Sequence, residues 1–169
     1  MSARLTLALV CGLMMSCGNE AALNPVPGPG DGSKFAECSP CFDTLVEETD
    51  VCGPALDACL DDPTLELEPI VVCFQTEGVC FDDALQRSAM CNNSCGDASQ
   101  AQVELCAGQC FRQRADCAEQ AVRGTDACLS VCGGASCEQC TLNGQGAFDQ
   151  CNSRLTECSD RCVRTFRTD

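Results

Sequence analysis

Eighteen cysteines, at 38, 41, 52, 59, 73, 80, 91, 95, 106, 110, 117, 128, 132, 137, 140, 151, 158 and 162, carry nearly all the side-chain chemistry this chain could perform. Three chemistries suit them: disulfide pairing, thiolate ligation of a soft metal, and thiol–disulfide exchange through a CxxC pair. An even number is what complete pairing requires. The CxxC pairs Cys38/Cys41 and Cys137/Cys140 also each have the spacing of half a zinc site. No histidine is present. That removes the usual neutral-pH acid–base group and the commonest metal ligand, and no Ser/His/Asp or Cys/His constellation can be assembled. No catalytic residue, resident metal or cofactor is expected.

The spacings show which elements carry the sulfurs. Ten intervening residues recur at 41/52, 80/91, 95/106, 117/128 and 140/151, and three recur at 91/95, 106/110, 128/132 and 158/162. Cysteines at i, i+4 and i+11, as in Cys106, Cys110 and Cys117, share one face of a helix, whereas a strand would alternate them between faces. The pattern 38/41/52/59 recurs at 137/140/151/158, and 73/80/91/95 recurs at 110/117/128/132, with Phe74 matching Phe111 and Ala84 matching Ala121. The fold class expected is all-α: a disulfide-rich array of antiparallel helical hairpins forming a small bundle. No βαβ pattern surrounds either CxxC, which argues against a thioredoxin-like exchange site.

Local signals place the helices. Ser39-Pro40 opens one through about Glu47, and another begins near Pro54. Asp82 opens a helix to Asn93. Ser99 with Gln102 forms a capping box for a long helix from Gln100 to Val122. Arg123-Gly124-Thr125 and Asn143-Gly144-Gln145-Gly146 read as turns, Gly133-Gly134 ends a short helix, and a terminal helix runs from about Phe148 to Phe166. Residues seven apart on a helix lie about 10 Å apart along its axis, so Cys151 and Cys158 cannot bridge within one helix. Cysteines flanking a turn can pair, which points to Cys140 with Cys151 and Cys117 with Cys128. A Cys80–Cys91 pair remains open, although residues 82–90 contain no turn residue.

The stretch from Cys91 to Cys110, CxxxC followed by ten residues and CxxxC, resembles the α-hairpinin peptides. That resemblance implies Cys95–Cys106 and Cys91–Cys110 bridges. Inward-facing CxxxC pairs on helices also resemble bacterial copper-storage proteins, which implies Cu(I) or zinc thiolate binding as the rival to disulfides.

The N-terminus reads as an export signal. Arg4 supplies a positive charge, and the apolar run Leu5–Met15 is too short to span a bilayer. Met14-Met15-Ser16-Cys17-Gly18-Asn19 resembles the lipobox of bacterial lipoproteins, which implies diacylation of Cys17 as the mature N-terminus. The alternative is plain secretion after cleavage near Ala21-Ala22. The expected organisation is a signal peptide over 1–16, a Pro/Gly-rich lipid-anchored linker over 17–37, and a cysteine-rich helical domain over 38–169. Two acyl chains give stable attachment, so a membrane reached through the N-terminal lipid is the expected partner. Cys11 would leave with the signal.

Charge narrows the other partners. Net charge is −15, and residues 35–86 hold thirteen Asp or Glu with no Lys or Arg. This excludes nucleic acid and leaves a basic protein as a possible partner. The acidic linker with Asp61, Asp62, Glu66 and Glu68 lacks the form of an EF-hand loop and reads as solvated. Asn92-Asn93-Ser94 fits a glycosylation acceptor. Arg161, Arg164 and Arg167 sit at the end of the last helix, where they favour its dipole and could pair with the acidic half. The function these features support is an exported, lipid-anchored envelope protein with a structural or protein-binding role.

Overall fold

In a computed structural model of the chain, which describes residues 32–61 and 66–167, all regular structure is α-helical. Five helices follow one another: α1 (Gly32–Thr49), α2 (Cys52–Leu60), α3 (Leu67–Ser94), α4 (Ala98–Val131) and α5 (Ala135–Phe166). The expectations for residues 1–31, including Cys17, and for Asp62 lie outside the described residues. None of the described helices is long and apolar enough to cross a membrane.

α1 and α2 together form one broken arm on α3, α3 packs on α4, and α4 packs on α5. The last three helices are longer than local punctuation suggests. Asp82 lies in the middle of α3, and Gly124, Gly144 and Gly146 lie inside α4 and α5, where turns were expected. A helical glycine is less favourable than alanine by only about 1 kcal/mol, which packing along a whole helix outweighs. Pro40 likewise sits within α1 rather than in its first turn.

The real turns have explicit chemistry. At the end of α3, Gly96 takes φ +92°, its N–H donates to Asn93 O, and Asp97 N–H donates to Asn92 O. This is a Schellman closure, which needs the left-handed conformation glycine supplies. Asp97 then caps α4 by accepting from Gln100 N–H at 2.9 Å, so Asp97 and not Ser99 is the cap. Between α4 and α5, Gly134 takes φ +59°.

The core is shared by both arms and both central helices. Leu45, Leu85, Phe111 and Leu155 form one cluster, with the ring of Phe81 stacked on that of Phe111 at 4.3 Å. A second cluster joins Ile70, Phe74, Val122 and Phe148, with Phe74 and Phe148 ring centroids 5.3 Å apart. With only seven Phe and no Trp or Tyr, such a core is modest, and cross-links supplement it.

The repeated cysteine patterns now acquire a spatial meaning. The segment 38–59 lies antiparallel to 73–95, and 137–158 lies antiparallel to 110–132, so the chain reads as arm, centre, centre, arm. The contacts follow the exchange that sends α3 positions onto their α4 counterparts. Gln75 corresponds to Arg112 and Asp82 to Glu119. Arg112 pairs with Asp82, and Gln75 donates to Glu119 at 3.0 Å. Gly78 corresponds to Ala115, and these two face each other across the central helices: a Cβ built on Gly78 would lie 2.7 Å from the Ala115 Cβ.

Candidate functional site

All eighteen cysteines from Cys38 onward are bonded, in two ladders. The first joins the α1/α2 arm to α3 and the loop that follows it through Cys38–Cys95, Cys41–Cys91, Cys52–Cys80 and Cys59–Cys73. The second joins α4 to α5 through Cys106–Cys162, Cys110–Cys158, Cys117–Cys151 and Cys128–Cys140, with Cys132–Cys137 closing its end. Cα–Cα distances run from 5.2 to 5.9 Å, inside the range a disulfide spans.

The helical period produces these ladders. Steps of four, seven and eleven residues are close to one, two and three turns, so sulfurs at those steps stay on one face. Going forward from Cys106 the steps to Cys110, Cys117 and Cys128 are four, seven and eleven. Going backward from Cys162 to Cys158, Cys151 and Cys140 they are the same. Two antiparallel helices with mirrored steps bring every sulfur opposite a partner.

The individual pairings expected from the sequence are therefore corrected. Cys95 bonds Cys38 and not Cys106, and Cys91 bonds Cys41 rather than Cys110 or Cys80. Cys117 bonds Cys151 and Cys128 bonds Cys140, which replaces both Cys117–Cys128 and Cys140–Cys151. For Cys117–Cys128 and Cys140–Cys151 the reason is the continuity of α4 and α5: without turns at 123–125 and 143–146, the two cysteines of each of these pairs lie along one helix and cannot approach. The CxxC pairs separate too, Cys38 from Cys41 and Cys137 from Cys140, each sulfur joining a different partner.

One end of the second ladder holds a sulfur cluster. The Sγ atoms of Cys106, Cys110 and Cys162 all lie within 4.8 Å of one another. Cys110 and Cys162, each 1% exposed, are 3.6 Å apart although bonded to different partners. Cys158, bonded to Cys110, completes two CxxxC pairs facing each other. As disulfides these sulfurs carry no charge. Reduced, they form a soft, convergent donor set suited to Cu(I) or zinc.

The polar residues are largely accounted for by the fold. Asn92 is buried and donates through its side-chain amide to both carboxylate oxygens of Glu104 at 2.9 Å, which closes it as a glycosylation acceptor. Ser88 and Gln100 also donate to Glu104, at 3.0 Å each. Burial raises the Glu104 carboxyl above its ordinary value, those hydrogen bonds oppose the rise, and nearby Asp97 adds to it. In the acidic linker Glu68 pairs with Arg123 at 2.8 Å, and the hydrogen bond from Arg123 holds its carboxyl below the ordinary value.

Among the described residues, the acidic half finds cations in the two central helices. Glu48 pairs with Arg87, Glu77 with Arg114 and Asp82 with Arg112. At the end of α5, Arg167 donates to Gln100 Oε1 at 2.9 Å.

Nine disulfides suggest an oxidising environment, extracellular or periplasmic. Comparison of the chain with known protein families, with curated proteins and with solved structures finds no match.

Proposed function

We propose that this is an exported cell-envelope protein, tethered by lipid at Cys17, whose disulfide-stapled helical body is a durable structural or protein-binding module without catalysis. The observation that supports the body's role is the completeness of the ladders: every cysteine from Cys38 to Cys162 is used as a brace. Such bracing keeps a small core folded under exposure that would unfold an uncross-linked domain. Intact-mass measurement of the native protein under non-reducing conditions tests it. A mass eighteen hydrogens below the reduced chain, with no bound metal, is expected; free thiols carrying copper or zinc overturn it. Metabolic labelling with a fatty-acid analogue tests the tether: label lost in Cys17→Ala supports it, and label retained sinks it.

A second reading rests on the cluster of Cys106, Cys110 and Cys162. In it the chain handles Cu(I) or zinc as cargo through thiolates. It requires those cysteines to be isolated as thiols, and the same mass measurement separates the two readings.

A further inference from the structure

The nine rungs are not equivalent. In eight of them at least one cysteine is buried: Cys38, Cys41, Cys52, Cys73, Cys110, Cys140, Cys151 and Cys162 are each 6% exposed or less. Cys132–Cys137 is the exception. Neither of its residues is buried, and it closes the tight turn between α4 and α5 with a sequence separation of 5. The turn around it is open. A Cβ built on Gly133 or Gly134 would meet nothing within 4 Å, and the adjacent Val131 is 85% exposed.

Accessibility alone does not make a disulfide exchange, because an attacking thiolate needs a sulfur that leaves well. In the eight other rungs, attack on the more accessible sulfur leaves the thiolate on a buried cysteine, where desolvation disfavours its charge. Attack at the tip does the opposite. Cys137 is the third residue of α5, in its first turn, where the helix dipole stabilises a thiolate. Cys132 is the C-cap of α4, at the negative end of that helix. The two ends of this bond are therefore electrostatically unequal.

We propose that Cys132–Cys137 is a thiol–disulfide exchange site whose co-substrate is a thiol or dithiol, with Cys132 the sulfur that is attacked and Cys137 the leaving group. An incoming thiolate bonds to Cys132 Sγ. The Cys132–Cys137 bond breaks and its electron pair stays on Cys137 Sγ. With a dithiol, the second thiolate then attacks its own sulfur in the mixed disulfide and releases Cys132. The protein gains two electrons and the dithiol becomes a disulfide. Run backward, the same steps oxidise the protein at the expense of a partner disulfide. The bundle survives the cycle because the next rung, Cys128–Cys140, still joins α4 to α5.

The test uses the intact native protein. Limiting dithiothreitol followed by alkylation and peptide mapping should label Cys132 and Cys137 at least about tenfold faster than any other cysteine, with helical circular dichroism unchanged. Limiting glutathione should leave its adduct on Cys132. Another rung opening first, or helix lost as this one opens, overturns the site; an adduct on Cys137 overturns its polarity. In the double variant Cys132→Ser, Cys137→Ser the fast-labelling phase should disappear while the helix signal stays, and a fast phase that persists overturns the assignment.

Discussion

Glu77 of α3 and Arg114 of α4 stand at corresponding positions in the two halves of the molecule, and they pair with each other. The exchange that relates α3 to α4 carries each onto its own partner, so the ion pair lies at the centre of the bundle. Glu77 is 8% exposed and the Arg114 side chain 18%. Burial raises the Glu77 carboxyl, and Arg114, by charge and hydrogen bond, pulls it back. Arg114 also donates to Asn152 of α5 at 2.9 Å, which ties that arm to the pair.

Removing one member should be costly. Glu77→Ala leaves Arg114 partly buried without its anion, and a loss of about 3 kcal/mol is expected in guanidinium unfolding. The exchanged variant, Glu77→Arg with Arg114→Glu, should recover at least half of that, because Asp57 already acts on position 77 and would become a partner for the new arginine. Equal losses in the two variants would show that the site does not tolerate exchange.

Glycine substitutions should divide by position. Gly78→Ala forces its new Cβ against Ala115, 2.7 Å away on the facing helix, and should destabilise by about 1–3 kcal/mol. Gly124 and Gly146 are also helical, but a Cβ at either meets nothing within 4 Å. Alanine there should stabilise by about 0.5–1 kcal/mol through helix propensity alone. Thermal midpoints of the three single variants decide this.

Glu104 gives a pH signature. Its folded-state pKa is raised above 4.5, so the folded protein holds that proton more tightly than the unfolded chain. The stability from this group is fully present below the unfolded value and is lost as pH rises through the folded one. Glu77 is shifted in the same direction. Stability should therefore increase as the pH is lowered from neutral toward mildly acidic values. The net charge of −15 acts in the same sense, so the diagnostic quantity is the difference between the native chain and Glu104→Gln. The variant should show a flatter pH dependence of its melting temperature; parallel curves would remove Glu104 as the cause.

The rungs should differ in what they contribute. Removing Cys110–Cys158 should cost on the order of 3 kcal/mol in Cys110→Ser, Cys158→Ser, because Cys110 is buried in the core cluster, where a serine hydroxyl leaves a polar group among apolar side chains. Removing Cys132–Cys137, which closes a separation of only 5 beside an intact Cys128–Cys140, should cost distinctly less. Unfolding midpoints of the two double variants make the comparison.

Much of the architecture is legible in the sequence. The steps of four, seven and eleven between cysteines are multiples of the helical period, so they imply helices with sulfur on one face wherever the chain goes. The recurrence of 38/41/52/59 and 73/80/91/95 likewise announced two kinds of segment, each used twice. The pairing was encoded as well, in the mirror of those steps about the stretch near Gly134, but a forward reading of spacings misses a palindrome. Gly124, Gly144 and Gly146 hid it, because each resembles a turn residue when only its neighbours are considered.

The sequence by itself determined the helical class, the even cysteine count and the acidic imbalance, since each follows from residue type and local spacing. Only the tertiary structure decided that α4 and α5 run unbroken, that Asn92 turns inward to Glu104, and which sulfur meets which. Those outcomes depend on contacts between residues far apart in the chain. There the burial of Phe111, Phe148 and Leu155 outweighs the preference of a few glycines for a turn.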